Sequence, residues 1–253
     1  MNKQFYFLSG IPRAGNTLLS TILNQNKNIK VSPNTILCDV LLNLYNVKDI
    51  DIYKNFPNEK YFNNIYLNVF NNYYQDLKSK VIIDRGPWGT PGNLYLLKKI
   101  FKKPKFIILR RPVLECIASF IDIEKPKNIE ERINNLLNKG IIYKYLWSIE
   151  NILKNEKHII IDYNELILNT EECLKKIHKF INVEYTKYNL KNLKQYSLNN
   201  LTYNDEVING NLHEIKPFIL PTKRNIGDVL PKKIISKYKN ICLAIDKKLY
   251  NDK

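Results

Sequence analysis

Several things are scarce in this 253-residue chain, and each scarcity narrows its function. Cysteine occurs four times, at Cys38, Cys116, Cys173 and Cys242, far apart and with no Cys-x-x-Cys pair. That spacing argues against a zinc ribbon or a dithiol redox site and fits buried free thiols in a reducing compartment. No hydrophobic run is long enough to span a bilayer. The apolar stretch near the N-terminus is too short for the core of a signal peptide, so the expected location is cytoplasmic with no membrane span. No internal repeat is present, which excludes solenoids and propellers. Acidic residues are few: 24 Asp and Glu stand against 40 Lys and Arg, a formal net charge of +16. Such a surface attracts anions, whether nucleic acid, anionic lipid or a polyanionic small molecule. Coding bias toward Lys, Asn, Ile and Tyr accounts for part of the excess. No interleaving of aromatic and basic residues of a known nucleic-acid module is found, so no stable nucleic-acid partner is expected.

What is present is a regular alternation. Gln4 to Ser9, Val81-Ile82-Ile83, Phe106 to Leu109 and Ile159-Ile160-Ile161 are short continuous apolar runs, each read as a buried strand. Between them, helical spacing marks 17–23, 37–47, 61–77, 94–101, 113–123, most of 129–153, and 170–181. Thr170-Glu171-Glu172 reads as a hydroxyl cap followed by acids in the first turn. A last amphipathic helix runs from Leu230 to Leu249, and 188–218 is polar and weakly periodic, a long loop with short helices. Strands without polar alternation predict an α/β fold, a parallel sheet covered by helices on both faces. Ligands of such sheets bind at the carboxyl ends of the strands. The chain is expected to form a single domain over 1–253.

Gly10-Ile11-Pro12-Arg13-Ala14-Gly15-Asn16-Thr17 joins the first strand to the first helix. Backbone amides in such a loop, with a helix N-terminus behind them, form an anion cradle. The spacing nearly matches the nucleoside-triphosphate loop Gly-x-x-x-x-Gly-Lys-Ser/Thr, but the lysine position holds Asn16 and a cation stands three residues earlier, as Arg13. A glycine-containing turn with no ligand is the plain alternative. After the third of these strands come Arg110, Arg111 and Pro112, and Ser119 follows Arg111 by eight residues, two helical turns on. A strand-end guanidinium and a hydroxyl on that helix can converge on a compact dianion.

Together these segments resemble the sulfotransferase family. Pro12 to Thr17 is similar to its Pro-Lys/Arg-Ser/Ala-Gly-x-Thr loop, closest to the bacterial and tyrosylprotein type that carries Arg. The resemblance implies a three-layer, P-loop-like sulfotransferase fold and 3′-phosphoadenosine 5′-phosphosulfate (PAPS) as donor, with adenosine 3′,5′-bisphosphate (PAP) as product. It implies that Arg13 faces the 5′-phosphosulfate, and that the loop Pro12, Arg13, Ala14, Gly15, Asn16 and Thr17 cradles the phosphate. It also implies that Arg111 and Ser119 hold the 3′-phosphate, and that Ser119 aids Arg13 in catalysis. Asp162-Tyr163-Asn164-Glu165-Leu166 is similar to a family segment whose Tyr lies near adenine, which points to Tyr163. Pro221 to Asp228 is similar to a late basic loop over the 3′-phosphate, with Lys223 the positional match and Arg224 the alternative.

The acceptor is expected to be a small-molecule, carbohydrate or peptide hydroxyl, and it needs a general base. The protein-tyrosine type places a Glu shortly after the first helix, where this chain has Asn34, and the Lys-x-His of the cytosolic type is missing. Asp84 is the preferred substitute and Asp39 the other. His158, His178 and His213 match no catalytic pattern of the family, and His178 reads as structural. Trp88 either lines the acceptor pocket or packs its loop. An apolar strand ending in Asp84 also resembles the magnesium-binding strand of nucleotide kinases, so a nucleotide or small-molecule kinase is the alternative function. No metal site is expected for the sulfotransferase reading.

Overall fold

The strands β1, β3, β4 and β5 assemble because each carries a continuous apolar run that has to be taken out of water. In the computed structural model of the protein, which describes residues 3–208, 211–219 and 225–250, β1 (Gln4–Gly10) is the central strand. It pairs in parallel with β3 (Val81–Arg85) on one side and β4 (Lys105–Arg110) on the other. β5 (Lys157–Asp162) extends the sheet beyond β4, and β2 (Ile29–Asn34) forms the opposite edge, giving the all-parallel order β2-β3-β1-β4-β5. The α/β parallel sheet read from the sequence is therefore present, with β2 in addition. Pro33 sits in that edge strand, where a missing amide costs no ladder bond, and the register slips between Val31 and Asn34.

Helices cover both faces. α1 (Asn16–Leu23) follows β1, and α2 (Leu37–Asn46), α3 (Asp51–Asn55) and α4 (Glu59–Tyr73) lie between β2 and β3. α5 (Pro91–Ile100) joins β3 to β4. α6 (Val113–Glu124), α7 (Ile129–Asn138) and α8 (Ile141–Asn155) lead to β5, so the segment 129–153 is two helices broken at Lys139-Gly140. α9 (Tyr163–Leu168) and α10 (Thr170–Ile181) follow β5, and α11 (Lys232–Tyr250) closes the chain. Strand alternation sorts the core. The Tyr6 hydroxyl donates to the Ile181 carbonyl at the end of α10 on one face. Phe7 packs against Phe70, Trp88 and Phe101 on the other.

Some local expectations need correcting. Asn169, not a hydroxyl residue, is the N-cap of α10, and it makes no side-chain capping bond. The Thr170 hydroxyl instead donates back to the Leu166 carbonyl at 2.6 Å. His178 is buried, with Nε2 2.7 Å from the Tyr188 hydroxyl and Nδ1 against the carbonyls of Val183 and Glu184, a structural role. All four cysteines are buried free thiols. Among the described residues no helix is long and apolar enough to cross a membrane.

Candidate functional site

The order of strands fixes where a ligand can sit. From β1 the chain leaves toward β2, and from β4 it leaves toward β5, so the two neighbouring strands send their connections in opposite directions. A crevice opens at such a switch point, beyond the carboxyl ends of the strands. A cavity of about 610 Å³ lies there, lined by the loop after β1, by Arg85, Arg111, Ser119 and Tyr163, and by residues 212–216, 218 and 219.

The loop after β1 is held open from within. Gly15 is the N-cap of α1 in the left-handed region (φ 93°), it supplies no side-chain cap, and the first turn of α1 has no acidic residue. The first amides of the helix thus have neither a capping side chain nor a carboxylate beside them, the condition in which a helix N-terminus accepts an external anion. The Asn16 side chain does not point outward as the lysine of a triphosphate loop would. It is buried, and its Nδ2 donates to the carbonyls of Gly10 and Ile11 at 3.3 and 3.0 Å, pinning the loop. Ala14 N–H closes a turn onto Ile11 O at 3.0 Å. Arg13 sits at φ 74°, a strained conformation for a residue with a side chain.

The two arginines that the sequence singles out share this cleft. Arg111 Nη1 donates to the Arg13 carbonyl at 2.8 Å, and Arg111 Nε to Glu115 at 3.1 Å. Its guanidinium lies over the Tyr163 ring, 4.4 Å from the centroid. Tyr163 in turn lies against Gly15: a Cβ at that glycine would come within 2.6 Å of the ring. Ser119 is turned toward Arg13 rather than Arg111, accepting from Arg13 Nε at 3.1 Å. Arg13 Nη1 also donates to the carbonyl of Leu212. Arg110, the last residue of β4, lies near Asp162 (3.9 Å) and over the Tyr250 ring, away from this cavity. Lys223 and Arg224 lie outside the described residues.

The base expected at Asp84 needs correcting. Asp84 pairs with Phe7 and Arg85 with Leu8, so the two side chains leave opposite faces of the sheet. Asp84 is wholly buried away from the cavity, accepting from Trp88 Nε1 at 2.8 Å, from the Thr35 hydroxyl at 3.2 Å and from the Tyr74 hydroxyl. Burial raises its pKa to about 7, against these hydrogen bonds, which lower it. Trp88 therefore packs its loop. Asp39 is exposed on α2, 3.6 Å from Lys144, and does not line the cavity. Asn34 accepts from the Tyr145 hydroxyl at 2.7 Å.

Arg85 is the cation that the sequence reading passed over. Its Nη1 donates to the Thr17 hydroxyl at 3.2 Å and to the Tyr203 hydroxyl at 3.1 Å, so it faces the loop after β1 from the β3 side. Strand parity was the available signal, since residue 85 must face away from residue 84. Arg13, Arg85 and Arg111 thus bring three guanidinium groups to one crevice, beside an uncapped helix end. This arrangement suits a ligand with separated, highly charged anionic groups.

The model of the sulfotransferase family matches residues 6–187, and the chain belongs to that family. The match decides against the kinase alternative, as does the inward turn of Asn16. Among solved structures, the chain is similar to the sulfotransferase domain of the Synechococcus PCC 7002 olefin synthase (18% identity, 83% of this chain and 85% of that chain, TM-score 0.56). It is similar to a mouse sulfotransferase solved in complex with PAP (12% identity, 100% of this chain and 86% of that chain, TM-score 0.59). It is also similar to a sulfotransferase from Alicyclobacillus acidocaldarius (11% identity, 99% and 95%, TM-score 0.58). No curated protein matches the chain.

Proposed function

We propose that this protein transfers the sulfuryl group of PAPS to a hydroxyl acceptor and releases PAP, as one domain spanning 1–253 in the cytoplasm. The carrying observation is the convergence of Arg13, Arg85 and Arg111 around the open N-terminus of α1. In sulfuryl transfer an acceptor oxygen attacks sulfur in line with the departing phosphate oxygen, and catalysis rests on positioning and on cations aimed at the developing charge. In this reading the first amides of α1 and the Thr17 hydroxyl take the 5′-phosphate. Arg13, its Nε already tied to Ser119, meets the bridging oxygen as negative charge builds there. Arg85 approaches the same region from β3 through Thr17. Arg111 takes the 3′-phosphate with Ser119 at the border of the two phosphate sites, and the family resemblance assigns a further cation for that phosphate to Lys223 or Arg224. Tyr163, stacked on Arg111, forms the floor beside the adenine. The acceptor is a small molecule, a sugar or a peptide hydroxyl.

PAP is expected to raise the melting temperature well beyond ATP with magnesium, because a ligand that binds only the native state stabilises it by mass action. Arg13→Ala should keep the fold and lower turnover of labelled PAPS about 10²–10³-fold, the usual cost of removing one donor to a developing oxyanion. A preference for ATP with magnesium, or an Arg13→Ala protein that turns over at the wild-type rate, would overturn the reading.

A further inference from the structure

The residues assigned above bind anions and stabilise charge, but none of them accepts a proton. The acceptor hydroxyl must lose one as its oxygen attacks sulfur. Asp84 is sealed beneath the sheet and Asp39 is paired on the surface of α2. The weakly periodic stretch after α10 brings another group to the cavity wall. There, His213 lies beside Leu212, whose carbonyl holds Arg13.

We propose that His213, held by Asp205, is the general base that receives the acceptor's hydroxyl proton. The inference rests on the sulfuryl-transfer reading and supplies the step that reading lacks. Asp205 grips His213 twice: Oδ1 lies 2.6 Å from Nδ1 of the ring, and Oδ2 accepts the His213 backbone N–H at 2.9 Å. A carboxylate on Nδ1 selects the tautomer that carries its proton there and leaves the Nε2 lone pair as the basic site. Among the described residues Nε2 has no hydrogen-bond partner, while the residue lines the cavity. The Tyr203 ring lies flat on the imidazole, 3.7 Å between centroids and 3° between planes, which fixes the ring against rotation. The Tyr203 hydroxyl accepts from Arg85 Nη1, and the same nitrogen donates to Thr17 of the phosphate loop. A short chain of contacts therefore sets the imidazole relative to the place where the 5′-phosphosulfate is expected.

The charged and titratable groups around the ring are Asp205 from its own loop, Tyr203, Arg85 at the end of β3 and Arg13 from the phosphate loop. Burial lowers the His213 pKa most, Asp205 raises it, and Arg85 and Arg13 lower it, with a net lowering. The imidazole is then neutral at neutral pH, the state a base must occupy before reaction. In the step, the acceptor O–H bond gives its proton to Nε2 and the acceptor oxygen forms its bond to sulfur. The bond from sulfur to the bridging oxygen breaks, with the electron pair leaving on the 5′-phosphate of PAP. The imidazolium afterwards returns its proton to solvent. His213 is the catalytic residue, and Asp205 is a positioning residue that acts through it.

The test uses the full chain, labelled PAPS and a panel of alcohols and phenols, with hydrolysis of the donor by water counted as transfer. His213→Ala and His213→Gln should each lower kcat about 10²-fold or more, the usual worth of general-base catalysis, and should leave the PAP-induced rise in melting temperature intact. Imidazole in the buffer should restore part of the rate to His213→Ala. The loss should be smaller with p-nitrophenol, which is about half ionised near neutral pH and whose phenolate form needs no base. Asp205→Asn should move the rising limb of the kcat/KM–pH profile to lower pH, since it removes a group that raises the His213 pKa. A role confined to stapling the loop would not move that limb. If both His213 variants bind PAP and turn over like the wild type, the inference fails and the sulfotransferase reading stands. If the wild type neither binds PAP nor consumes PAPS, the reading fails and the inference with it.

Discussion

Asp84 and Arg85 are covalent neighbours at the end of β3, yet one is sealed among aromatic rings and the other faces the cavity. The difference is strand parity, because successive side chains leave opposite faces of a sheet. Asp84 retains its proton more tightly in the folded protein (pKa about 7) than at its ordinary value of 3.8. The folded state therefore binds more protons than the unfolded chain between these values, and stability falls as pH rises through that window. Asp84→Asn keeps an acceptor for Trp88 and removes the titration. The melting temperature of the wild type, minus that of Asp84→Asn, should decline from about pH 4 to about pH 7 and then level off. A difference that is flat or rises over that range would show that Asp84 is ionised throughout. Because the side chain lies away from the cavity, turnover per folded molecule should not change in this variant.

At the scale of the element, the loop after β1 works because Gly15 can do what no other residue can. It holds φ at 93° and lets the Tyr163 ring approach to within 2.6 Å of where a Cβ would stand. Gly15→Ala should destabilise the fold by about 1–3 kcal/mol, the cost of a forced backbone conformation. It should also abolish the PAP-induced thermal shift, since the first amides of α1 are displaced along with the ring. A variant that still binds PAP like the wild type would show that the loop relaxes without losing its cradle. This loop was legible in the sequence, because strand, glycine, cation and helix follow one another at fixed spacing. So were β1, β3, β4 and β5, as unbroken apolar runs. β2 was not: only Ile29 and Val31 mark it, Lys30 and Pro33 interrupt it, and its pairing to one neighbour tolerates both. The His213–Asp205 pair was not legible either. Its two residues stand on a stretch without periodicity, and they meet only when the chain folds back across the carboxyl end of the sheet. There Tyr196 donates to the Val31 carbonyl, and Leu193 N–H bonds Pro217 O. The family pattern offered Asp84 as a base by position alone, and position along a strand does not say which face a side chain takes.

The whole molecule sets a further condition. Its charge of +16 draws any polyanion toward it, so attraction alone does not identify the ligand. What the fold adds is separation: Arg13 and the start of α1 stand at the end of β1, and Arg111 stands at the end of β4, in one crevice between diverging connections. In the proposed reading a nucleotide phosphorylated at both the 3′ and 5′ positions of its ribose engages both, whereas adenosine 5′-phosphate engages only the first. Arg111 is nearly buried between Glu115 and the Tyr163 ring, so its contact with a phosphate is shielded from salt better than a surface pair. A charge-assisted hydrogen bond in such a place is worth about 1.5–3 kcal/mol, or roughly 10- to 100-fold in affinity. Arg111→Ala should therefore weaken PAP by about that factor while leaving the weaker affinity for adenosine 5′-phosphate nearly unchanged. Titration calorimetry with the two nucleotides measures the contrast directly. Equal losses for both would mean that Arg111 acts by supporting the Arg13 carbonyl, and that the 3′-phosphate is held elsewhere. If the two nucleotides bind the wild type equally, the fold's two cationic sites do not act together on one ligand.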